Sequence, residues 1–247
     1  MKSLQATKKA LVMGASSGIG AQVARILLER GWTVGVAARR QEPLQALRKE
    51  FPHAVHTRLI DVTQQDAPQE LTALVEEMGG IDLYFHASGV GKQNPDLDPE
   101  TEMLTAATNA DGFMRMVICV YRYMAAHGGG HIAVISSIAG TKGLGPAPAY
   151  SATKALQTTY IEALEQLART RRVPVTFTDI RPGFVATPLI DTGHRYPMMM
   201  DARKVAQRAV KATLAHRHVA VIDSRYALLT ALWRLLPRWL WRRLRLC

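Results

Sequence analysis

Cysteine is nearly absent from this chain, with Cys119 and Cys247 the only two in 247 residues. That excludes a disulfide framework, and without a Cys-x-x-Cys pair it excludes a cysteine-built zinc site, so no metal is expected. Cys119 reads as a small buried hydrophobe and Cys247 as an incidental end residue. Long apolar runs are missing too. The first apolar stretch, Ala10 to Met13, is too short for the core of a signal peptide, and with the scarcity of cysteine this points to the cytoplasm. Repeats and low-complexity blocks are also lacking. At 48% hydrophobic and 21% charged residues, the composition excludes disordered and fibrous classes and fits one large core.

Acid is what the end of the chain lacks. From Ser224 to Cys247 there are six arginines and no Asp or Glu, so this segment carries +6 of the formal +11. A charge so localised gives no reason to assign a nucleic-acid partner to the body; it points to an anionic surface for the segment alone. The chain therefore divides into residues 1–223 and a basic tail, 224–247.

Within the body, short runs rich in Val and Ile alternate with amphipathic stretches of helical length. Strands are expected at Leu11 to Met13, Thr33 to Ala38, Val55 to Ile60, Ile81 to His86, His131 to Ser136, Val175 to Ile180 and His218 to Ile222. Helices are expected at Ile19 to Arg30, Pro43 to Glu50, Gln65 to Met78, Glu102 to Ala126, Tyr150 to Thr170 and Ala202 to His216, the last with Asp201 as its N-cap. This alternation predicts an α/β fold: a doubly wound, mostly parallel, Rossmann-like sheet in a single domain, with helices on both faces. Ligands of such folds bind beyond the carboxyl ends of the strands, so the residues that follow each strand carry the information.

After the first strand stands GASSGIG, with Gly14, Ser16, Ser17, Gly18, Ile19 and Gly20. Such a turn lets backbone N–H groups and a helix N-terminus approach a dinucleotide pyrophosphate, although it also serves as a plain strand-to-helix connection. After the second strand, where an acid would bind the ribose hydroxyls of NAD, stand Arg39 and Arg40. Two guanidiniums suit a 2′-phosphate and favour NADP(H). Asp61, followed by Val62, could accept from an adenine amino group or cap a turn. The fourth strand leads into His86, Ala87, Ser88 and Gly89; the glycine allows a close backbone approach, and His86 reads as a satisfied strand-end residue. Asn109 lies inside an expected helix despite its low helix propensity, which invites a functional explanation. The fifth strand ends at Ser136-Ser137, and Tyr150 and Lys154 follow four apart on one helical face.

In this order and spacing the chain resembles the single-domain short-chain dehydrogenase/reductase family. The likeness runs from Ala10 to about Ile222 and is carried by GASSGIG, Asp61-Val62, Asn109, Ser137, Tyr150 with Lys154, and Pro182-Gly183 followed by Val185 and Thr187. Two departures stand out: Met13 where the family has Thr, and His86-Ala87-Ser88-Gly89 in place of Asn-Asn-Ala-Gly. The resemblance implies that Tyr150 is the proton donor to a carbonyl oxygen, that Ser137 hydrogen-bonds the same oxygen, and that Lys154 binds the nicotinamide ribose and favours the phenolate. It also implies that Asn109 holds a water that passes protons to Lys154, that Thr187 holds the carboxamide, and that the long helices pair in a homodimer or homotetramer.

The segment from Thr187 to Asp201, with Leu189, Ile190, Tyr196 and Met198-Met199-Met200, is expected as a lid that either lines a lipophilic substrate site or packs onto the body. An NADP(H)-dependent oxidoreductase of a hydrophobic carbonyl or alcohol, lipids included, is the leading expectation. A 3-oxoacyl thioester reductase meeting an acidic acyl carrier protein, and a non-catalytic NADP-binding scaffold, are the alternatives. For the tail, helical spacing sets Leu229, Trp233, Leu236, Leu240 and Leu244 on one face and Arg234, Arg238 and Arg242 roughly opposite. A peripheral docking on anionic membrane is expected of it, or else packing on protein.

Overall fold

The computed structural model describes residues 7–189 and 196–244. The elements run β1 (Lys9–Met13), α1 (Gly18–Glu29), β2 (Thr33–Ala38), α2 (Gln41–Glu50), β3 (Val55–Leu59), α3 (Ala67–Glu77) and β4 (Leu83–His86). Then come α4 (Pro99–Ala106), a π-helical turn (Ala107–Gly112), α5 (Phe113–Ala126), β5 (Gly130–Ile135), a 3₁₀ turn (Ile138–Thr141) and α6 (Pro148–Thr170). The rest comprises β6 (Val175–Arg181), β7 (Val185–Ala186), β8 (Met200–Asp201), α7 (Ala202–Leu214), β9 (Val219–Val221), α8 (Ser224–Leu235) and α9 (Arg238–Trp241).

Among the described residues, seven strands form a sheet in the order β3-β2-β1-β4-β5-β6-β9, with every neighbouring pair parallel. The order reverses between β1 and β4, which opens a crevice at their carboxyl ends. Successive side chains of a strand face opposite sides, so β1 sends Ala10 and Val12 to one core and Leu11 and Met13 to the other. The first core is closed by α1, α2, α7 and α8, and the second by α3, α5 and α6. Phe85 in one and Phe177 in the other are fully shielded, and each such side chain stabilises the fold by about 1.5–3 kcal/mol. This is the doubly wound architecture expected from the alternation of runs.

The differences from expectation are local. The helix expected over Glu102 to Ala126 starts earlier, at Pro99, because Asp98 caps it by accepting from Thr101 N at 2.9 Å. It is also broken by the π-helical turn around Asn109. Helix α6 begins two residues before Tyr150 with Pro148 in its first turn, a position that needs no N–H partner. Asp201 caps α7 as expected, accepting from Lys204 N at 2.9 Å.

The tail departs more. Its helix is interrupted at Leu236 and Pro237, since proline cannot continue the backbone ladder. The first part of the face expected to meet a membrane is turned inward, Leu229 and Trp233 packing on the first core with the Trp233 ring 5.4 Å from that of buried Trp241, while Leu244 at its far end is 43% exposed. Cys119 is half-buried, with its thiol 3.4 Å from Thr72 Oγ1. Ile190 and Cys247 lie outside the described residues.

Candidate active site

The turn after β1 lies against the chain that leaves β4. At Gly14 (φ +89°) an added Cβ would sit 2.6 Å from Ser88 N, and at Gly20 it would strike the carbonyl of Gly14. Both positions therefore demand glycine. Gly18 (φ +56°) faces the methyl of Thr187, where a Cβ would come within 3.2 Å. These contacts gather GASSGIG, Ala87-Ser88-Gly89 and Thr187 into one rim. Ile19 anchors the first turn of α1 on the core beneath, so the helix N-terminus is presented to the rim.

Arg40 reaches over this turn, its Nη2 donating to Ser16 Oγ at 3.0 Å and Ser17 Oγ at 2.8 Å, while Arg39 is exposed beside it. The cradle, with no Cβ to fill it and guanidiniums at its edge, fits a phosphorylated dinucleotide. Asp61 serves here as a turn cap: its Oδ1 accepts from Thr63 N at 3.0 Å and Thr63 Oγ1 at 2.8 Å. Val62 is buried, and its carbonyl lies 2.7 Å from where a Cβ on Gly112 would stand. Pro182 accepts through its carbonyl from Ile138 N at 3.1 Å, which ties the end of β6 to the end of β5. Gly183 leaves room for the ring of Tyr226, and Val185 pairs with Met200.

The expected proton-transfer residues come together on the same side of the sheet. Ser137 lies just beyond β5 and caps the 3₁₀ turn, its Oγ accepting from Ala139 N at 3.1 Å. On α6, Lys154 Nζ lies 5.7 Å from the centre of the Tyr150 ring. The ammonium is buried and donates to Ile135 O and to Gln157 Oε1, each at 2.9 Å. Gln157 Nε2 in turn donates to the carbonyl of Asn109 at 2.8 Å. Gln157, one helical turn beyond the lysine, thus joins Lys154 to the backbone of Asn109. Asn109 also clamps the chain after β4: its Oδ1 accepts from Val90 N at 2.9 Å and its Nδ2 donates to Val90 O at 2.7 Å.

Three participants escaped the sequence reading. Gln157 carried no signal beyond its place three residues after Lys154. Gly91 packs on the Tyr150 ring, where a Cβ would lie 2.6 Å from Cε2. Asp179, buried on β6, accepts from Ser136 Oγ and from Arg181 Nε, the latter at 2.7 Å.

The electrostatics follow from burial. Lys154 is drawn down from its ordinary 10.5 to about 8 by loss of solvation, opposed by the negative charge of Asp179. Tyr150 is pushed up by burial, and the Ser137 hydroxyl opposes the shift. His86 is pushed down to about 3, first by burial and then by the charge of Lys154. It is a neutral brace, its Nδ1 2.8 Å from Tyr84 Oη and its ring edge-on to Phe113 at 5.2 Å.

The described parts of the segment expected as a lid are attached to the body at both ends. Met200 pairs in the β7–β8 ribbon and is buried, Met198 packs on the first core, and Met199 is exposed. Tyr226 of α8 donates to Pro197 O at 2.9 Å while its oxygen accepts from Phe184 N at 3.2 Å. The methionine run therefore serves mainly to hold the lid to the body.

Sheet topology and site together define a Rossmann-like oxidoreductase. The chain matches the family model described as short chain dehydrogenase over residues 8–195, and it belongs to that family. It is 39% identical over 197 residues to an uncharacterized oxidoreductase of Myxococcus xanthus, a match that covers 77% of each chain. Among solved structures it is similar to an actinorhodin polyketide ketoreductase with NADPH, at 26% identity and a TM-score of 0.77 over 89% of this chain and 97% of the other. A short-chain dehydrogenase from Streptomyces avermitilis shares the fold at a TM-score of 0.80, with 22% identity over 91% of this chain and 92% of that one. The protein is accordingly an oxidoreductase of the kind that interconverts an alcohol and a carbonyl.

Proposed function

We propose that the protein is an NADP(H)-dependent oxidoreductase that interconverts a ketone and a secondary alcohol on a hydrophobic substrate, with Asn109, Ser137, Tyr150 and Lys154 as its working residues. The observation that carries this reading is the buried ammonium of Lys154, fixed by two oxygens and set beside the Tyr150 ring. A protein that only bound a nucleotide would have no use for a phenol so placed. The residues to hold the cofactor are Gly14, Ser16, Ser17, Gly18, Ile19 and Gly20 at its pyrophosphate, Arg39 and Arg40 at a 2′-phosphate, and Asp61 and Val62 toward the adenine. Ala87, Ser88, Gly89, Tyr150, Lys154, Pro182, Gly183, Val185 and Thr187 lie toward the nicotinamide end. The similar ketoreductase with NADPH supports that choice of cofactor. When bound, the cofactor supplies the hydride.

Tyr150 gives its proton to the carbonyl oxygen during reduction and takes it back in the reverse direction. Its raised affinity for the proton suits the donor state. Ser137 donates to the same oxygen as charge develops there. Lys154 supplies a positive charge to the phenolate, and Gln157 and Ile135 hold that charge in register. Exposed Leu189 and Met199 on the lid give an apolar approach for the substrate. Exposed Met103 and Leu104 on α4 are consistent with pairing of subunits beside α6.

The similarity to a polyketide ketoreductase also favours a second reading, reduction of a 3-oxoacyl thioester. The test is NADPH oxidation with a panel of hydrophobic ketones, polar ketones and 3-oxoacyl thioesters. Tyr150→Phe should lower turnover at least ~100-fold with NADPH affinity nearly unchanged, since the proton donor alone is removed. A Phe variant that turns over at the wild-type rate would sink the assignment of the acid.

A further inference from the structure

Leu229 and Trp233 of the apolar face expected to meet a membrane are packed inward, yet the tail carries a second such face. Leu228, Leu232 and Leu235 on α8 are 65%, 53% and 79% exposed, and Trp239 on α9 is 60% exposed. Spaced at four and three residues, the leucines form one outward stripe on α8, and Trp239 adds an exposed ring just beyond the break. Exposed Arg234, Arg238, Arg242 and Arg243 accompany it, with the Arg243 guanidinium 5.5 Å from the Trp239 ring. Asp223 is engaged with Arg225, and after Asp223 the chain contains no acid.

We infer that this stripe is a docking surface for an anionic phospholipid bilayer. Leucine and tryptophan side chains enter the headgroup boundary while guanidiniums meet lipid phosphates, and Arg243 beside Trp239 brings the two kinds of group together here. Charge decides against the other occupants. A second copy of the chain would bring like-charged arginines face to face. An acidic protein would satisfy the arginines but has no need of three exposed leucines. A spanning role is excluded for the described helices, none of which is long and apolar enough to cross a membrane.

The surface is also pre-organised from below. Trp241 Nε1 donates to Gly143 O at 2.7 Å, and Lys142 Nζ donates to Leu236 O at 2.8 Å. No helix has to fold on binding, which removes an ordering cost. Gly143 and Lys142 belong to the connection that follows Ser137, so docking would lay that rim of the candidate site beside the bilayer. The surface itself does not depend on which reaction is catalysed.

The full chain should be mixed with vesicles of phosphatidylcholine alone and of phosphatidylcholine with phosphatidylglycerol, then sedimented at low and high salt. Binding should favour the anionic vesicles at least tenfold and weaken with salt. Replacing Arg234, Arg238 and Arg242 by Gln should lower partitioning about fivefold per residue. The exposed triple variant Leu228→Ser, Leu232→Ser, Leu235→Ser should lower it at least tenfold, with an unchanged circular dichroism spectrum and unchanged turnover of a small water-miscible ketone. Wild-type protein that stays in the supernatant with anionic vesicles, or variants that sediment as well as wild type, overturn the inference. So does a leucine variant that dissociates an oligomer in the absence of vesicles, which would assign the stripe to a contact between copies. Retention on an acidic carrier protein without any vesicle binding would assign it to a protein partner and equally end the membrane reading.

Discussion

Replacement of Lys154 by Met tests the buried ammonium without reference to any substrate. The side chain is 4% exposed, and burial lowers its affinity for the proton from an ordinary 10.5 to about 8, against the opposing charge of Asp179. That difference corresponds to roughly 3 kcal/mol between the protonated side chain in the folded protein and in the unfolded chain. Between about pH 8 and 10.5 the unfolded chain binds more protons than the folded one, so stability rises with pH across this window. Read the other way, the stability present above 10.5 is lost as pH falls through about 8, and below that the penalty is constant. Lys154→Met abolishes the titration. It also removes donors from Ile135 O and Gln157 Oε1, an offset independent of pH. The measurable quantity is therefore a slope: the unfolding free energy of wild type minus that of the variant should climb by roughly 3 kcal/mol from pH 7.5 to 10.5. Urea unfolding at fixed protein concentration, without cofactor, reads it at each pH, and other titrating groups cancel in the difference. A difference that stays flat refutes the reasoning, since the lysine would then be no harder to charge in the fold than in water.

Two further outcomes bear on the site. NADPH should bind at least tenfold more tightly than NADH, a gap of about 1.4 kcal/mol, and Arg39→Asp with Arg40→Asp should erase it; equal affinities in the wild type count against the 2′-phosphate assignment. Gln157→Leu should lose about 1–3 kcal/mol of stability by leaving the Asn109 carbonyl without its donor, and should move the lower limb of the pH–rate profile by weakening the hold on the charged lysine. If stability and profile are both unmoved, Gln157 is packing and not positioning.

The fold was legible because strands and helices here have distinct periods and because a parallel sheet buries both faces of each strand. Tyr150 and Lys154 were legible for a similar reason, being four apart on a single helix. Contacts between distant segments were not. Nothing in the spacing says that Gly91 must pass the Tyr150 ring, or that Gln157 lies between Lys154 and the Asn109 carbonyl. Asp61 shows how one residue type serves two tasks: a strand-end aspartate capping a turn looks, in sequence, like one that reads an adenine. Which face of the tail turns inward was not legible either, for another cause. Leucines and tryptophans occur almost all round it, so helical spacing alone offers two apolar faces. Tyr226 decides between them, because its ring fills the space over Gly183 and fixes which side of α8 faces the body.

Asn109 is where local preference and structure conflict most openly, and the conflict has a physical resolution. Asparagine is a poor helix former because its side chain competes for backbone hydrogen bonds. Here it does so, spending both side-chain groups on Val90. The helix accommodates it by opening into a π-helical turn over Ala107–Gly112, a form that appears mostly as single turns inside α-helices, frequently at functional sites. The same turn presents the Asn109 carbonyl to Gln157 Nε2. An alanine at 109 would favour a regular helix by up to about 0.7 kcal/mol, but it would release the chain after β4. The loss falls on the segment that lines both the glycine cradle and the Tyr150 ring, so a locally better helix would mean a looser site.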